Sequence, residues 1–517
     1  MPVIQQLSAL RDGCAGWIAG QDRAIIWAAV LGLVILIVAL QALHTRSSSA
    51  KGDGPTLPPS YPSWIPILGH VPHMAVDREG FLSRLRNLYP DGLYSIWLLR
   101  KPHVVVYSPS FTSTILNKPS SVVDSEFLRP TLMTSTFGLS RRDAEHYGSL
   151  TDEVVPQLST LLTDEGLSSL TTSTIRQIKL HLVDLLTFNP SPADQSDWEV
   201  RAGASVVESP RGESYVELDL FELVRNFVAK TANQGLFGTD FVQNFPDAWD
   251  HIWRFDEGFV HMTFVPLWLP LPRVTRARAA AHKLRQYLQE FNEALDKHLD
   301  GEDAGARWQD LDDVSPLVKS RARLLRDSNL SPAARAGTEL ALAWAMNANS
   351  NPLISWMVWE IARDPIILER IREETAPYVE VVQPKNEFGP AVWIPPEVRK
   401  IDLDGLLTKC PLLKAAYVET LRVYTAVWNV KYTKEDVVLG ERGKANESFL
   451  LEKGRYVHMP QHVHQSDPEY FPEPKEWHPE RHLHESVDAS GKTTYTADLG
   501  TMKPYSKHET HGVDARY

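Results

Sequence analysis

The feature that most constrains this chain is a long apolar run opening at Ser331-Pro332 and reaching to about residue 363. Serine accepts hydrogen bonds from the free N–H groups at a helix start, and proline suits the first turn. The stretch Thr338-Glu-Leu-Ala-Leu-Ala-Trp-Ala-Met-Asn-Ala-Asn-Ser-Asn-Pro352 predicts a helix buried on most sides. Pro352 lies inside it, where it removes an N–H and displaces the Ala348 carbonyl, so a kink is expected. Asn347, Asn349 and Asn351 cluster at that point. Asparagine is a poor helix former and costly to bury unpaired. Two readings are open: a polar notch in which a ligand sits, or amides that only cap the kink's loose backbone groups.

The 517 residues carry a net charge of −12, which argues against a nucleic-acid partner, since such a partner requires clustered positive charge. The two cysteines, Cys14 and Cys410, rule out a disulfide scaffold and any Cys-x-x-Cys metal module. Their scarcity fits a body in a reducing compartment.

Residues 24–43 are apolar except for Gly32 and Gln41, with Trp27 near one end. Twenty residues of helix span about 30 Å of hydrocarbon. A cleaved signal peptide would have a shorter apolar core. Residues 1–23 therefore read as an N-terminal segment and 24–43 as a transmembrane anchor. Residues 44–66 read as a polar and then proline-rich hinge, with prolines at 55, 58, 59, 62 and 66. Further on, Tyr94-Ser-Ile-Trp-Leu-Leu and His103-Val-Val-Val-Tyr read as a β-hairpin turning at Arg100-Lys101-Pro102. Residues 191–215 read as a surface loop. Residues 217–300 read as mostly helical, interrupted by the apolar, proline-rich stretch 266–272. That stretch is open to two readings, a substrate-entrance or membrane-contacting loop and buried packing.

Residues 412–424 read as a helix carrying Glu419-Thr-Leu-Arg422, whose charged ends share a face at i and i+3. Asp467-Pro-Glu-Tyr-Phe-Pro-Glu-Pro-Lys-Glu-Trp-His-Pro479-Glu480-Arg481 follows, irregular and proline-rich. Its arginine is placed to meet the earlier pair in a buried Glu–Arg–Arg network. Anchor, hinge, hairpin, kinked helix, Glu-x-x-Arg and Pro-Glu-Arg occur here in one order. That order resembles a microsomal, fungal-type cytochrome P450 over roughly residues 55–505.

The resemblance implies a mainly α fold with a small β region: a single large domain, residues 67–505, behind an N-terminal transmembrane helix. It implies a haem cofactor, an NADPH-cytochrome reductase partner, an endoplasmic-reticulum membrane with the body in the cytosol, and an apolar small-molecule substrate. It gives Glu419, Arg422 and Arg481 the role of bracing the haem loop. It places residues 345–352 over the distal haem face, with Asn347, Asn349, Ser350 and Asn351 as catalytic candidates there and proton delivery resting on Asn349, Ser350 and water. Ala345, Thr425, Val427 and Trp428 would line the substrate pocket. The asparagine-rich helix looks like the Ala-Asn-x-x-Pro variant of sterol 7α-hydroxylases and prostacyclin synthase. No Trp-x-x-x-Arg stands where the family's haem-propionate contact is expected, which leaves Arg141, Arg142 and His146 as candidates.

The family's haem loop is aromatic-x-x-Gly-x-x-x-Cys-x-Gly, whose thiolate favours O–O cleavage. With Tyr505 in the aromatic place, His508, Gly512 and Asp514 stand where Gly, Cys and Gly belong. No cysteine ligand is therefore expected, the position aligned with it being Gly512. The haem-loop helix and last strands are likewise expected to be missing, and residues 506–517 read as an aberrant tail from a misread frame or intron. The expected function is that of a monooxygenase family member, oxidising a terpenoid or sterol-like metabolite of secondary metabolism, inactive for want of its ligand. The alternatives are a membrane-tethered pseudoenzyme and a haem-thiolate isomerase or dehydratase.

Overall fold

The computed structural model describes residues 55–160, 164–264, 271–385, 394–440, 448–487 and 491–497, apart from 64, 66 and 492, together with residue 32. The expected anchor at 24–43 apart from residue 32, most of the apolar stretch 266–272 and the expected tail 506–517 lie outside the described residues. Among the described residues no helix is long and apolar enough to cross a membrane. Helix predominates, with a minority of strand, as the sequence predicts. The chain gathers into two compact units. Of the described residues, one unit takes 55–126 and Ala426–Pro474, and the other takes Phe127–Thr425 and 475–497.

The first unit is built on a five-stranded sheet. Its strands are β1 (Leu93–Leu98), β2 (Lys101–Val106), β3 (Val123–Asp124), β4 (Trp428–Thr433) and β5 (Tyr456–Pro460), in the order β1-β2-β5-β4-β3. β5 runs parallel to β2, pairing Tyr456 with His103 and Val457 with Val104. Alternation along the strands splits the apolar residues between two faces. Tyr94, Ile96 and Val105 pack on Phe81, Leu82 and Leu85 of helix α1 (Arg78–Leu88). Leu93, Val104 and Val106 pack on Phe111 and Ile115 of helix α2 (Pro109–Leu116). The hairpin is where the sequence places it, but its turn is Leu99-Arg100, both at positive φ (50° and 66°). Lys101 and Pro102 already pair with Leu98 and Trp97. Two-residue hairpins favour positive φ because it matches the twist of the strands, usually with glycine or asparagine. The non-glycine pair here hides that signal.

The second unit is a helical body. Helices α3 (Leu220–Phe237), α4 (Ala248–Phe264) and α5 (Pro272–Leu299) precede α6 (Pro316–Asp327), α7 (Pro332–Ala348) and α8 (Ser350–Arg363). Then come α9 (Pro365–Thr375) and α10 (Pro411–Tyr424). The same start recurs three times. Ser315, Ser331 and Asp364 accept first-turn N–H groups, each followed by a proline that has no N–H to satisfy. Phe237, Phe255, Leu288 and Phe291 lie in the core of this body. α4 approaches α5 closely because Gly258 has no Cβ: one placed there would lie 2.3 Å from that of Ala277.

Two expectations are corrected here. The long helix is two helices, parted at Asn349, because Pro352 leaves the Ala348 carbonyl without its helical donor. Residues 191–215 are not a plain loop: a short helix, Asp197–Arg201, leads into a hairpin of Ser205–Glu208 with Ser214–Glu217.

The sheet of the first unit holds neutral imidazoles. The Trp428 indole N–H donates to His458 Nδ1 at 3.0 Å. Indole is only a donor, so His458 carries its proton on Nε2 and donates to His103 Nδ1 at 2.8 Å. Burial, with His103 beside it, holds the His458 pKa at about 3. Burial also takes His464 down to about 4, although Asp467 opposes the shift. These pKa values lie below that of a free imidazole, 6.5. The unfolded chain therefore takes up these protons first as pH falls. Their contribution to stability is complete above pH 6.5 and is lost as pH falls from there through the folded-state values. Each imidazole weakens the fold by roughly 2 kcal/mol by about pH 5. Thermal unfolding followed from about pH 7 to 5 should show a falling midpoint, and His458→Gln should flatten the fall.

Candidate functional site

α10 is the element on which the strongest cluster is built. Pro411 opens it, and the Glu374 carboxylate accepts from the Leu412 and Leu413 N–H groups at 2.9 Å each, closing its positive end. Its inward residues are Leu412, Ala415, Ala416 and Val418, and on the same interior stand Glu419, Thr420 and Arg422. Arg422 grips Glu419 with two parallel hydrogen bonds, Nε to Oε2 and Nη2 to Oε1, both 2.8 Å. Arg481 Nε reaches Oε1 at 3.0 Å, the His478 backbone N–H reaches the same oxygen at 2.9 Å, and His482 Nε2 lies 2.8 Å from Oε2.

Glu419 is fully buried. Burial alone would push its pKa up. The hydrogen bonds from Arg422, His482 and the His478 N–H, with the Arg422 charge, outweigh burial and hold it at about 2. Arg422 also donates to the Glu476 carbonyl at 3.1 Å, and the Trp477 indole donates to Thr420 at 3.1 Å. A proline-rich segment with little regular structure of its own is thus fixed to one helix by polar bonds. The sequence places Glu419, Arg422 and Arg481 in this cluster. It gives no sign of His482, whose only cue is that it follows Arg481.

The residues chosen at the helix break are divided. Asn347 and Asn351 are buried. Asn349 and Ser350 are exposed, as is Ala345. Ser350 Oγ donates to the Met346 carbonyl at 3.0 Å and Asn347 Nδ2 to the Ala343 carbonyl at 2.8 Å, so part of this polarity serves local backbone groups. Asn347 also bonds Asn233 of α3, a residue that sequence reading missed. Asn233 is a polar residue inside an apolar helix, 114 positions away. Of the expected pocket residues, Thr425 is half-buried at the end of α10 and donates to the Leu421 carbonyl. Val427 and Trp428 belong to the first unit, where the Arg78 guanidinium lies 5.1 Å from the Trp428 ring centre. Arg141 and Arg142 are exposed on the helix Arg141–Ser149, and His146 is half-buried on it.

Cys410 is the one free cysteine among the described residues. It is buried ahead of α10, with its thiol directed at the Glu374 carbonyl at 3.5 Å. Burial and the Glu374 charge raise its pKa, the reverse of what a thiolate requires.

The family model described as Cytochrome P450 matches residues 59–497. A cytochrome P450 monooxygenase, efuG, from Hormonema carpetanum is 22% identical over 480 residues, covering 87% of this chain and 77% of its own. The lanosterol 14-alpha demethylase of Mycosarcoma maydis is 22% identical, covering 89% of this chain and 77% of its own. Cytochrome P450 7A1 of Rattus norvegicus is 30% identical over a shorter stretch, 37% of this chain and 36% of its own.

Removing the Glu419 carboxylate leaves Arg422 and Arg481 without their counter-charge and His482 without its carboxylate partner. Glu419→Gln should cost about 3–5 kcal/mol, as breaking a buried ion pair does. Glu480→Gln removes only the exposed pair with Arg370 and should cost less than about 1 kcal/mol. Urea unfolding midpoints of the two variants compare them directly.

Proposed function

Since the chain belongs to the cytochrome P450 family, we propose that it is a haem-thiolate monooxygenase relative shaped for an apolar small molecule, a terpenoid or sterol-like metabolite of secondary metabolism. The observation that carries this reading is the Glu419 network, a costly arrangement of buried charges that holds residues 476–482 in one place. Relatives named as a monooxygenase and as a lanosterol demethylase support an oxidised apolar substrate. The family takes its electrons from a reductase; here we assign that part to NADPH-cytochrome reductase on the same membrane. The apolar run 24–43 supports a single-pass anchor in the endoplasmic reticulum with the body in the cytosol.

Haem is the family's cofactor, and a cysteine thiolate gives its iron the electron push that oxygen cleavage needs. The described residues do not fit that bond. Cys410 is buried, protonated and placed to cap a helix, and Cys14 precedes the apolar run. The proposed reading is therefore a chain with the family's frame and no thiolate for iron, inactive as a monooxygenase. A second reading, an isomerase or dehydratase that needs no reductase, is favoured by the asparagine-rich helix break. Product formation that does not depend on NADPH would select it.

The expressed chain, reduced and exposed to carbon monoxide, should lack the thiolate-type Soret band while keeping its helical circular dichroism. A band of that type would overturn the reading. Deleting residues 1–43 should move the protein from the membrane pellet to the supernatant.

A further inference from the structure

The break between α7 and α8 is held by side chains from two parts of the chain. Asn233 Nδ2 donates to Asn347 Oδ1 at 2.8 Å, and Asn347 Nδ2 returns a bond to Asn233 Oδ1 at 2.9 Å. The second N–H of each amide is also engaged: Asn233 donates to the Ala229 carbonyl at 2.6 Å and Asn347 to the Ala343 carbonyl at 2.8 Å. Asn351 Nδ2 adds a bond to Asn347 Oδ1 at 3.2 Å. An amide has two N–H donors and two lone pairs on oxygen. Asn347 uses all four. All three asparagines are buried, where an amide left unpaired is costly and a closed network rigidifies its surroundings.

The clamp fixes how the helix is turned about its own axis on each side of the break. Ala343, Asn347, Asn351 and Ser355, spaced by four, form the inward stripe. Ala345, Asn349, Ser350 and Pro352 are left on the open side. Of the four polar residues that sequence reading offers for ligand chemistry, two are therefore committed to the clamp, Asn347 directly to α3 and Asn351 through Asn347.

The geometry points to Asn233 as a positioning residue. Through Asn347 it withdraws Asn347 and Asn351 from ligand contact and presents Asn349 and Ser350 alone to a small molecule on the open side. This rests on the reading of that side as the substrate face. Its test needs neither haem nor turnover, so it fails or stands apart from the spectral test of that reading.

The full chain, labelled with 15N at asparagine, reports the exchange of each side-chain amide with solvent. The Asn347 side-chain amide should exchange at least about tenfold more slowly than that of Asn349, because both its N–H groups are bonded and buried. Asn233→Asp keeps the shape but loses both donors and sets a carboxylate against Asn347 Oδ1. It should bring the two rates within about threefold of each other, while backbone exchange across α10 stays unchanged. Asn233→Ser, smaller and uncharged, serves if the aspartate variant does not fold, with the same expected direction. Equal Asn347 and Asn349 rates in the unaltered chain, or an Asn347 rate that no Asn233 variant moves, would overturn the assignment.

Discussion

A buried carboxylate with five hydrogen bonds from four residues organises the C-terminal part of the helical unit. Taking Glu419 out of water costs several kcal/mol, as does taking each arginine. The cost is offset only because Arg422 approaches in a fork, Arg481 and His482 approach from the segment that follows, and a backbone N–H completes the set. Those bonds determine where the proline-rich residues 476–482 run. The Trp477 ring packs with Leu412 and Ala416 of α10, and its indole reaches Thr420. The strand Leu483–Val487 leaves from that fixed point and pairs with Thr493–Ala497. A hydrophobic contact would hold this segment less specifically, since it has no direction; forked and charged hydrogen bonds fix both distance and angle.

The helix break is a second polar device. In α7 and α8 an apolar helix is interrupted by a proline, and the polarity around the interruption is sorted between an inner clamp and an outer face. The asparagines at the break have different surroundings. Asn347 serves backbone and clamp together, and Asn349 is free to face solvent. Cys410 shows the same economy. It is reactive in type, but where it sits its thiol caps a neighbouring carbonyl and stays protonated.

What was legible in the sequence depended on range. Ser331-Pro332 and Glu419-x-x-Arg422 are local patterns, in which one turn of helix sets the geometry. Arg481 was legible as a long-range partner only through its place in an ordered set of motifs. His482 and Asn233 had no such frame. A single histidine or asparagine in an apolar setting has many structural uses, and its partner is fixed only by packing. The turn was read as Arg100-Lys101-Pro102 and not Leu99-Arg100 because its positive φ angles fall on residues that rarely adopt them. Residues 191–215 lacked strand-like alternation strong enough to outweigh their turn-forming composition, and local pairing across Gly212 made the hairpin.

The measurement that reaches furthest into this picture is a double-mutant cycle on the Glu419–Arg422 pair, read from urea unfolding of Glu419→Gln, Arg422→Met and the two combined. If the network is a closed, mutually satisfied unit, each single variant leaves a buried group without its partner. The combined variant should then be less destabilised than the sum of the two by about 2 kcal/mol or more. Additivity within about 0.5 kcal/mol would contradict it, showing that Glu419 and Arg422 contribute to the fold independently.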